Sequence, residues 1–187
     1  MHATTTASFR PDVYAIDFGT SNSLLAAANA QETVPPIPLD DQADDPSVLR
    51  TLLFFGQNEF SCGVRAIGQF VEGGMQGRLI RSIKKFLPYR SFTGTHIGQR
   101  VVAIEDLVGR FLGTMRERAN RYFGANVDRV VLGRPAKFSL DANDDALAQA
   151  RLERAARIAG FREVSFCPEP VAAAQDFQVL LDQPRIV

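Results

Sequence analysis

An apolar run, Val13-Tyr14-Ala15-Ile16, leads into Asp17-Phe18-Gly19 and the hydroxyl pair Thr20-Ser21, and a second apolar run opens near Ser23. This is the pattern of strand, tight turn, strand, with strands near Val13–Phe18 and Ser23–Ala28. A third strand around Glu32–Leu39 carries prolines at 35, 36 and 38, which suit a sheet edge or exit because proline cannot donate to a ladder. After an acidic loop, Asp40–Asp45, Pro46-Ser47 opens the strand pattern Val48–Phe55, and Gln57-Asn58-Glu59 turns into a hairpin partner at Phe60-Ser61-Cys62. Glycines break up the helical pattern between Gly63 and Gly77, predicting a short helix and a loop. Arg78–Leu87 sets four cations around an apolar stripe and stops at Pro88, which reads as a basic helix.

The second half has longer periods. Leu107, Val108, Phe111, Leu112, Met115, Ala119 and Tyr122 recur at helical spacing from Ile104, and Gly124 ends them. Val127–Leu132 predicts a buried strand. A helix over about Asp144–Ala159 follows, capped by Asp141 or Asn143 and ended at Gly160. Val164–Cys167 is a short strand, and Pro168-Glu169-Pro170-Val171 starts a helix with proline in its first turn and small residues that allow close packing. Strand alternating with helix predicts a parallel portion of sheet covered by helices, an α/β fold.

Composition narrows the classes. The 187 residues are 45% hydrophobic and 22% charged, enough for one sizeable core or two small ones. Lysine plus arginine equals aspartate plus glutamate at 21 each, so no net charge points to nucleic acid or an anionic membrane. No apolar run approaches the roughly 18 residues of a membrane helix, and the polar start has no signal-peptide core. A flexible tail over residues 1–12 and a cytoplasmic location are the expectations. Cys62 and Cys167 belong to no Cys-x-x-Cys pair and read as free thiols, and neither His2 in the tail nor His96 in a Gly-Thr-rich loop has companions at ligand spacing.

Candidate chemistry concentrates at the first turn. Gly19 admits backbone angles closed to other residues and brings no side chain, so the N–H groups of Gly19, Thr20 and Ser21 can approach an anion. Asp17, at the strand end, suits the hydration shell of a Mg2+ ion. The same residues are equally compatible with an ordinary glycine hairpin. A P-loop is excluded, since no Gly-Lys-Ser/Thr follows, and so is the dinucleotide Gly-x-Gly-x-x-Gly pattern. Lys84 gains chemical interest only if it points at this turn; otherwise Arg78–Leu87 is a solvated basic face.

Five segments then fall in a familiar order: Asp17-Phe18-Gly19-Thr20-Ser21-Asn22-Ser23; Pro46-Ser47 before a strand; Ile83-Lys84-Lys85-Phe86-Leu87; Val130-Val131-Leu132-Gly133-Arg134-Pro135-Ala136-Lys137-Phe138; and Ala159-Gly160-Phe161 followed by Glu169-Pro170-Val171-Ala172-Ala173-Ala174. From Val13 nearly to its end the chain resembles the ATPase domain of the 70-kilodalton heat-shock chaperones, the divergent YegD-like branch in particular. The resemblance implies the actin-like, ribonuclease-H-like ATPase fold, of which this chain would be lobe one, with a core subdomain at about 13–39 and 100–187 and an inserted subdomain at about 40–99. It implies ATP or ADP with Mg2+ as cofactors. By position, Asp17 and Glu169 would hold Mg2+ through water, and Gly19, Thr20, Ser21 and Asn22 would hold the β- and γ-phosphates. Lys84, catalytic with Asp17, would stabilise the transferring phosphoryl group and position the attacking water, while Pro135 resembles the family's switch proline.

Departures accompany the resemblance. Ser21 replaces the family's second threonine, Lys137 stands where an aromatic is usual, and the arginine expected in the helix after Pro135 falls near Gln149, with Arg151 two residues on. The family's second phosphate turn, adenosine-binding lobe and peptide-binding domain would lie past Val187, so turnover is not expected from this chain alone. The implied partners are ATP, client polypeptides and co-chaperones, with no nucleic acid and no membrane, and the exposed interlobe face around Ala172–Ala174 could make the fragment dimerise. Bacterial actin-like filament proteins share the Asp-x-Gly-Thr turn and the Glu-Pro-x-Ala-Ala-Ala helix, so a filament-forming ATPase is the alternative. Sugar kinases of the same superfamily fit less well, for want of a catalytic acid in the expected place. Fold alone does not choose among these.

Overall fold

The computed structural model describes residues 9–57 and 59–181, with side chains as far as Gln175. In chain order it contains β1 (Val13–Phe18), β2 (Asn22–Ala28), β3 (Thr33–Val34), β4 (Leu49–Arg50), β5 (Leu52–Phe55), β6 (Phe60–Cys62), α1 (Val64–Glu72), β7 (Arg78–Arg81), a 3₁₀ turn (Ile83–Phe86), β8 (Gly94–Ile97), β9 (Arg100–Ala103), α2 (Ile104–Phe123), β10 (Arg129–Arg134), α3 (Ala142–Ile158), β11 (Glu163–Pro168) and α4 (Glu169–Leu181). The main sheet runs β11-β10-β1-β2-β3, with β4 also paired to β2. β10 lies parallel to both β1 and β11, as the alternation of strand and helix predicts, whereas β1 and β2 form the antiparallel hairpin around Gly19.

The alternation along β1 sets the layers. Tyr14, Ile16 and Phe18 are buried on one face, and Ala15 and Asp17 point to the other. On the buried face the Phe18 ring lies 5.8 Å from that of Phe111 on α2, and the Tyr14 hydroxyl donates to Asn120 Oδ1 at 2.9 Å. The predicted apolar stripe of α2 is buried throughout except for Tyr122, which stays exposed, and Gly124 ends the helix in the left-handed conformation. α3 lies against α2 through Gly109, where a Cβ would sit 2.7 Å from Ile158 Cγ2. Asp141 is the cap of α3, its carboxylate accepting from the N–H groups of Asn143 and Asp144 at 2.9 and 3.0 Å.

Four expectations change. Between Glu32 and Leu39 only Thr33–Val34 pairs as strand. The prolines remove ladder donors, although Ile37 still donates to the Leu25 carbonyl at 3.0 Å and is buried. The Val48–Phe55 run is divided at Thr51: Leu49-Arg50 joins the main sheet through β2, and Leu52–Phe55 becomes the centre of a separate β6-β5-β7 sheet. Arg78–Leu87 is not a helix; Arg78–Arg81 pairs with β5, Ser82 takes a left-handed φ of 56°, and Ile83–Phe86 forms the 3₁₀ turn. The loop expected around His96 is a hairpin, β8–β9, closed by Gly98 at φ 58° and by the close approach of Gly94 to the Val102 carbonyl.

Of the expected tail, residues 1–8 lie outside the described residues, but Phe9 is buried with its ring 5.5 Å from that of Phe123. Asn58 and residues 182–187, with the chain end at Val187, also lie outside the described residues. Cys62 is buried and Cys167 half-buried, both free. No described helix is long and apolar enough to cross a membrane.

Candidate functional site

β1, β10 and β11 are parallel, so their carboxyl ends emerge together, and Asp17, Pro135 and Glu169 sit at those three ends. Gly133 pairs with Cys167 and Arg134 with Pro168 in the ladder, which puts Pro135 and Glu169 immediately beyond the last pair. Openings at the carboxyl ends of parallel strands are where α/β sheets hold ligands. Here an opening of about 410 Å³ is lined by Asp17, Gly133, Cys167 and Glu169 together with Ala15, Leu24 and Ala172.

The Gly19 turn borders this opening. Gly19 is not among the residues at positive φ, so its conformational freedom is not what the turn uses. Space is: a Cβ there would collide with the Asn22 carbonyl. A residue without a role in the sequence motifs clasps the turn from beneath. Thr51, 1% exposed, donates its hydroxyl to the Gly19 carbonyl at 2.9 Å and its N–H to the Ser21 carbonyl at 2.8 Å, and its Oγ1 lies 2.9 Å from Ser23 Oγ. With the turn's carbonyls tied inward, Thr20, Ser21 and Asn22 are left at or near the surface. The one sequence signal for Thr51 is a hydroxyl inside an otherwise apolar run, at the point where the strand breaks in two.

Lys84 does point toward this place. The left-handed Ser82 redirects the chain out of β7, and the 3₁₀ turn that follows buries Ile83 on one side and Lys84 on the other. Lys84 Nζ lies 2.9 Å from Glu169 Oε1, joining residues 85 apart in sequence, with the lysine side chain 10% exposed and the glutamate 42%. Asp17 is close enough to feel both. Desolvation by its surroundings is the largest influence and holds its carboxyl above the usual carboxylate range; Lys84 opposes that shift and Glu169 adds to it. The raised pKa of Asp17 thus comes from desolvation first, with the neighbouring Glu169 carboxylate adding to it. The structure therefore brings Asp17, Lys84, Glu169 and the Gly19–Asn22 turn to one edge of the sheet.

Two carboxylates and nearby hydroxyls are hard oxygen donors of the kind Mg2+ takes through its own water shell. Among the described residues no group of three or more His, Cys, Asp or Glu is placed to bind a metal directly. The residues present thus suit a water-mediated Mg2+ and not a fully protein-ligated one.

Pro135 stands in a braced segment. Arg134 Nη2 donates to both Asp145 oxygens at 2.9 Å, Nη1 donates to Gln149 Oε1, Nε donates to the Pro135 carbonyl at 3.1 Å, and the guanidinium lies 5.2 Å from the centre of the Phe138 ring. Hydrogen bonds from Arg134 first, and from the Phe138 N–H, hold the Asp145 carboxyl below the usual range. The position near Gln149, where a helix arginine was expected, thus receives its cation from β10. Arg151 acts elsewhere. It is 5% exposed and donates to the carbonyls of Leu87 and Tyr89, both at 2.9 Å, so α3 holds the far end of the lysine turn.

No protein-family model matches the chain. Among curated proteins it is 26% identical over 181 residues to the chaperone protein HscA homolog of Rickettsia rickettsii, covering 90% of this chain and 29% of that protein. It is 28% identical over 170 residues to the HscA homolog of Rickettsia africae, covering 85% and 27%, and 27% identical over 169 residues to that of Rickettsia akari, again covering 85% and 27%. The chain thus spans less than a third of the length of these relatives, and over most of its own length it is weakly similar to chaperones of the 70-kilodalton heat-shock type.

Proposed function

We propose that this chain is the phosphate-holding first lobe of an actin-like ATPase domain, in a heat-shock-type chaperone that binds and hydrolyses ATP to drive folding or remodelling of client polypeptides. The observation that carries the reading is the Lys84–Glu169 pair, 2.9 Å apart and beside Asp17 at the edge of the Gly19 turn; the HscA similarity supports the same class. In this reading the N–H and hydroxyl groups of Gly19, Thr20, Ser21 and Asn22 hold the β- and γ-phosphates. Asp17 and Glu169 orient the waters of Mg2+, whose chemistry when bound is to neutralise charge on the phosphoryl oxygens. Lys84, held at low exposure by Glu169, is placed to offer its cation to the transferring group and to orient the attacking water. Pro135, braced by Arg134, is the point through which nucleotide state reaches the rest of the protein. Co-chaperones as partners and a cytoplasmic setting belong to the same proposal. The finer assignment to the YegD-like branch rests on the sequence motifs alone, since the relatives above carry the HscA name.

The test is calorimetry of Mg-ATP with the full-length protein, with single-turnover hydrolysis alongside. Wild type is expected to bind, Gly19→Val to lose binding because the valine Cβ displaces the turn, and Lys84→Ala to keep binding while hydrolysis falls about a hundredfold or more. Absence of nucleotide binding by the wild-type protein would overturn the reading, and nucleotide-dependent pelleting as filaments would replace it with the structural alternative.

A further inference from the structure

Thr51 holds the Gly19 turn through bonds whose direction is fixed. A threonine hydroxyl has one hydrogen, and here it goes to the Gly19 carbonyl at 2.9 Å. The 2.9 Å contact between Thr51 Oγ1 and Ser23 Oγ then runs the other way, with the Ser23 hydroxyl donating to Thr51. Ser23 and Thr51 are 0% and 1% exposed, so water does not compete for these bonds, and each polarises the next toward Gly19. The Thr51 N–H ties down the Ser21 carbonyl as well, at 2.8 Å.

Two carbonyls held on one side decide where the donors of the turn point. In a planar trans peptide the C=O and the N–H of the next residue are directed oppositely. The Gly19 carbonyl shares its peptide unit with the Thr20 N–H, and the Ser21 carbonyl shares its own with the Asn22 N–H, so both N–H groups are turned away from Thr51. The clasp also stands in a fixed relation to the lysine turn. Thr51 is the residue between β4, paired with β2, and β5, paired with β7. Leu52 lies opposite Arg81, so Thr51 and Ser82, where the lysine turn begins, leave neighbouring ends of one strand pair.

We propose that Thr51 is a positioning residue for the phosphate turn: its hydroxyl, oriented by Ser23, aims the Thr20 and Asn22 N–H groups at the phosphates of the nucleotide. The effect on the nucleotide rests on the ATPase reading; the hold on the turn does not. Thr51 acts through the backbone of residues 19–22 and not by touching the nucleotide, which separates its contribution from that of Lys84.

The test compares full-length wild type, Thr51→Val and Thr51→Ser by Mg-ATP calorimetry, single-turnover hydrolysis and amide hydrogen exchange. Valine keeps the β-branched shape and removes the hydroxyl, whereas serine keeps the hydroxyl. In the nucleotide-free protein, protection of the backbone N–H at position 51, which donates to the Ser21 carbonyl, is expected to drop about tenfold in Thr51→Val, the order of one hydrogen bond lost, while β10 and α2 exchange as in wild type. Mg-ATP affinity is expected to fall about tenfold as well, with the hydrolysis rate of bound ATP falling less than in Lys84→Ala, and Thr51→Ser to return protection and affinity toward wild type. The proposal is overturned if Thr51→Val leaves protection at position 51 unchanged, or if protection drops and Mg-ATP still binds as in wild type. It is also overturned if affinity falls only in proportion to unfolded protein, with exchange quickening across the whole main sheet, because the hydroxyl would then be merely structural. If wild type binds no Mg-ATP, the ATPase reading falls, and exchange at position 51 alone decides whether Thr51 fixes the turn.

Discussion

Asp17 carries a desolvation cost at the residue scale. Its carboxyl pKa is raised, by desolvation first and by Glu169 second, against the pull of Lys84. A carboxyl with a raised folded-state pKa is disfavoured in its charged form, so its contribution to stability is full below the unfolded value, about 4, and is lost as pH rises through the folded value. Asp17→Asn removes that penalty. The nucleotide-free variant is therefore expected to melt above wild type at neutral pH, to match it in acid, and to lose Mg-ATP binding. Thermal unfolding at the two pH values checks this, and a lower melting point for the variant at neutral pH would contradict it. Gly19 and Thr51 illustrate a different point at the same scale: the turn depends on an absent side chain above and on a buried hydroxyl below.

At the scale of elements, the 3₁₀ turn is too short to hold its own geometry, and its placement comes from outside. Ser82 sets its entry, while Arg151 on α3 receives its exit through the Leu87 and Tyr89 carbonyls. In the proposed reading Arg151 is accordingly a positioning residue for Lys84. Arg151→Ala is expected to reduce the rate of single-turnover hydrolysis by the full-length protein about tenfold, roughly 1.4 kcal/mol, with Mg-ATP affinity little changed. Arg151→Lys should recover part of that loss by restoring one donor. If both variants lose affinity and hydrolysis only in proportion to unfolded protein, the arginine is merely structural. The expected basic helix failed here because four cations and an apolar stripe satisfy a strand edge as readily as a helix face. A left-handed serine in the middle is invisible to periodicity.

Across the whole molecule, α2 and α3 cover one face of the main sheet, and the other face, with Ala15, Leu24, Ala26 and Val131, borders the opening beside Ala172. Val171, Ala172, Ala173 and Ala174 are exposed next to it. Contiguous apolar surface of this kind drives association. Light scattering over a concentration series is expected to show the mass of the chain rising toward that of a dimer, and Ala173→Glu to suppress the rise; a constant monomer would dismiss the expectation.

Local chemistry was enough to place the β1–β2 hairpin, α2 with its Gly124 end, α3 with its Asp141 cap, and the parallel strands between them, because alternation, helical spacing and capping act over a few residues and were satisfied there without competition. It was also enough to nominate Asp17 and Gly19, whereas Lys84 and Glu169 were nominated through the family resemblance. What it could not decide was contact between segments far apart in the chain. The division of Val48–Phe55 at Thr51, the hairpin at Gly94–Ala103, the Lys84–Glu169 pair across 85 residues and the anchoring of the lysine turn by Arg151 each depend on which backbone groups the tertiary structure brings within hydrogen-bonding distance. Side-chain periodicity reports which face is buried, and it carries no record of the partner on the other side of that face.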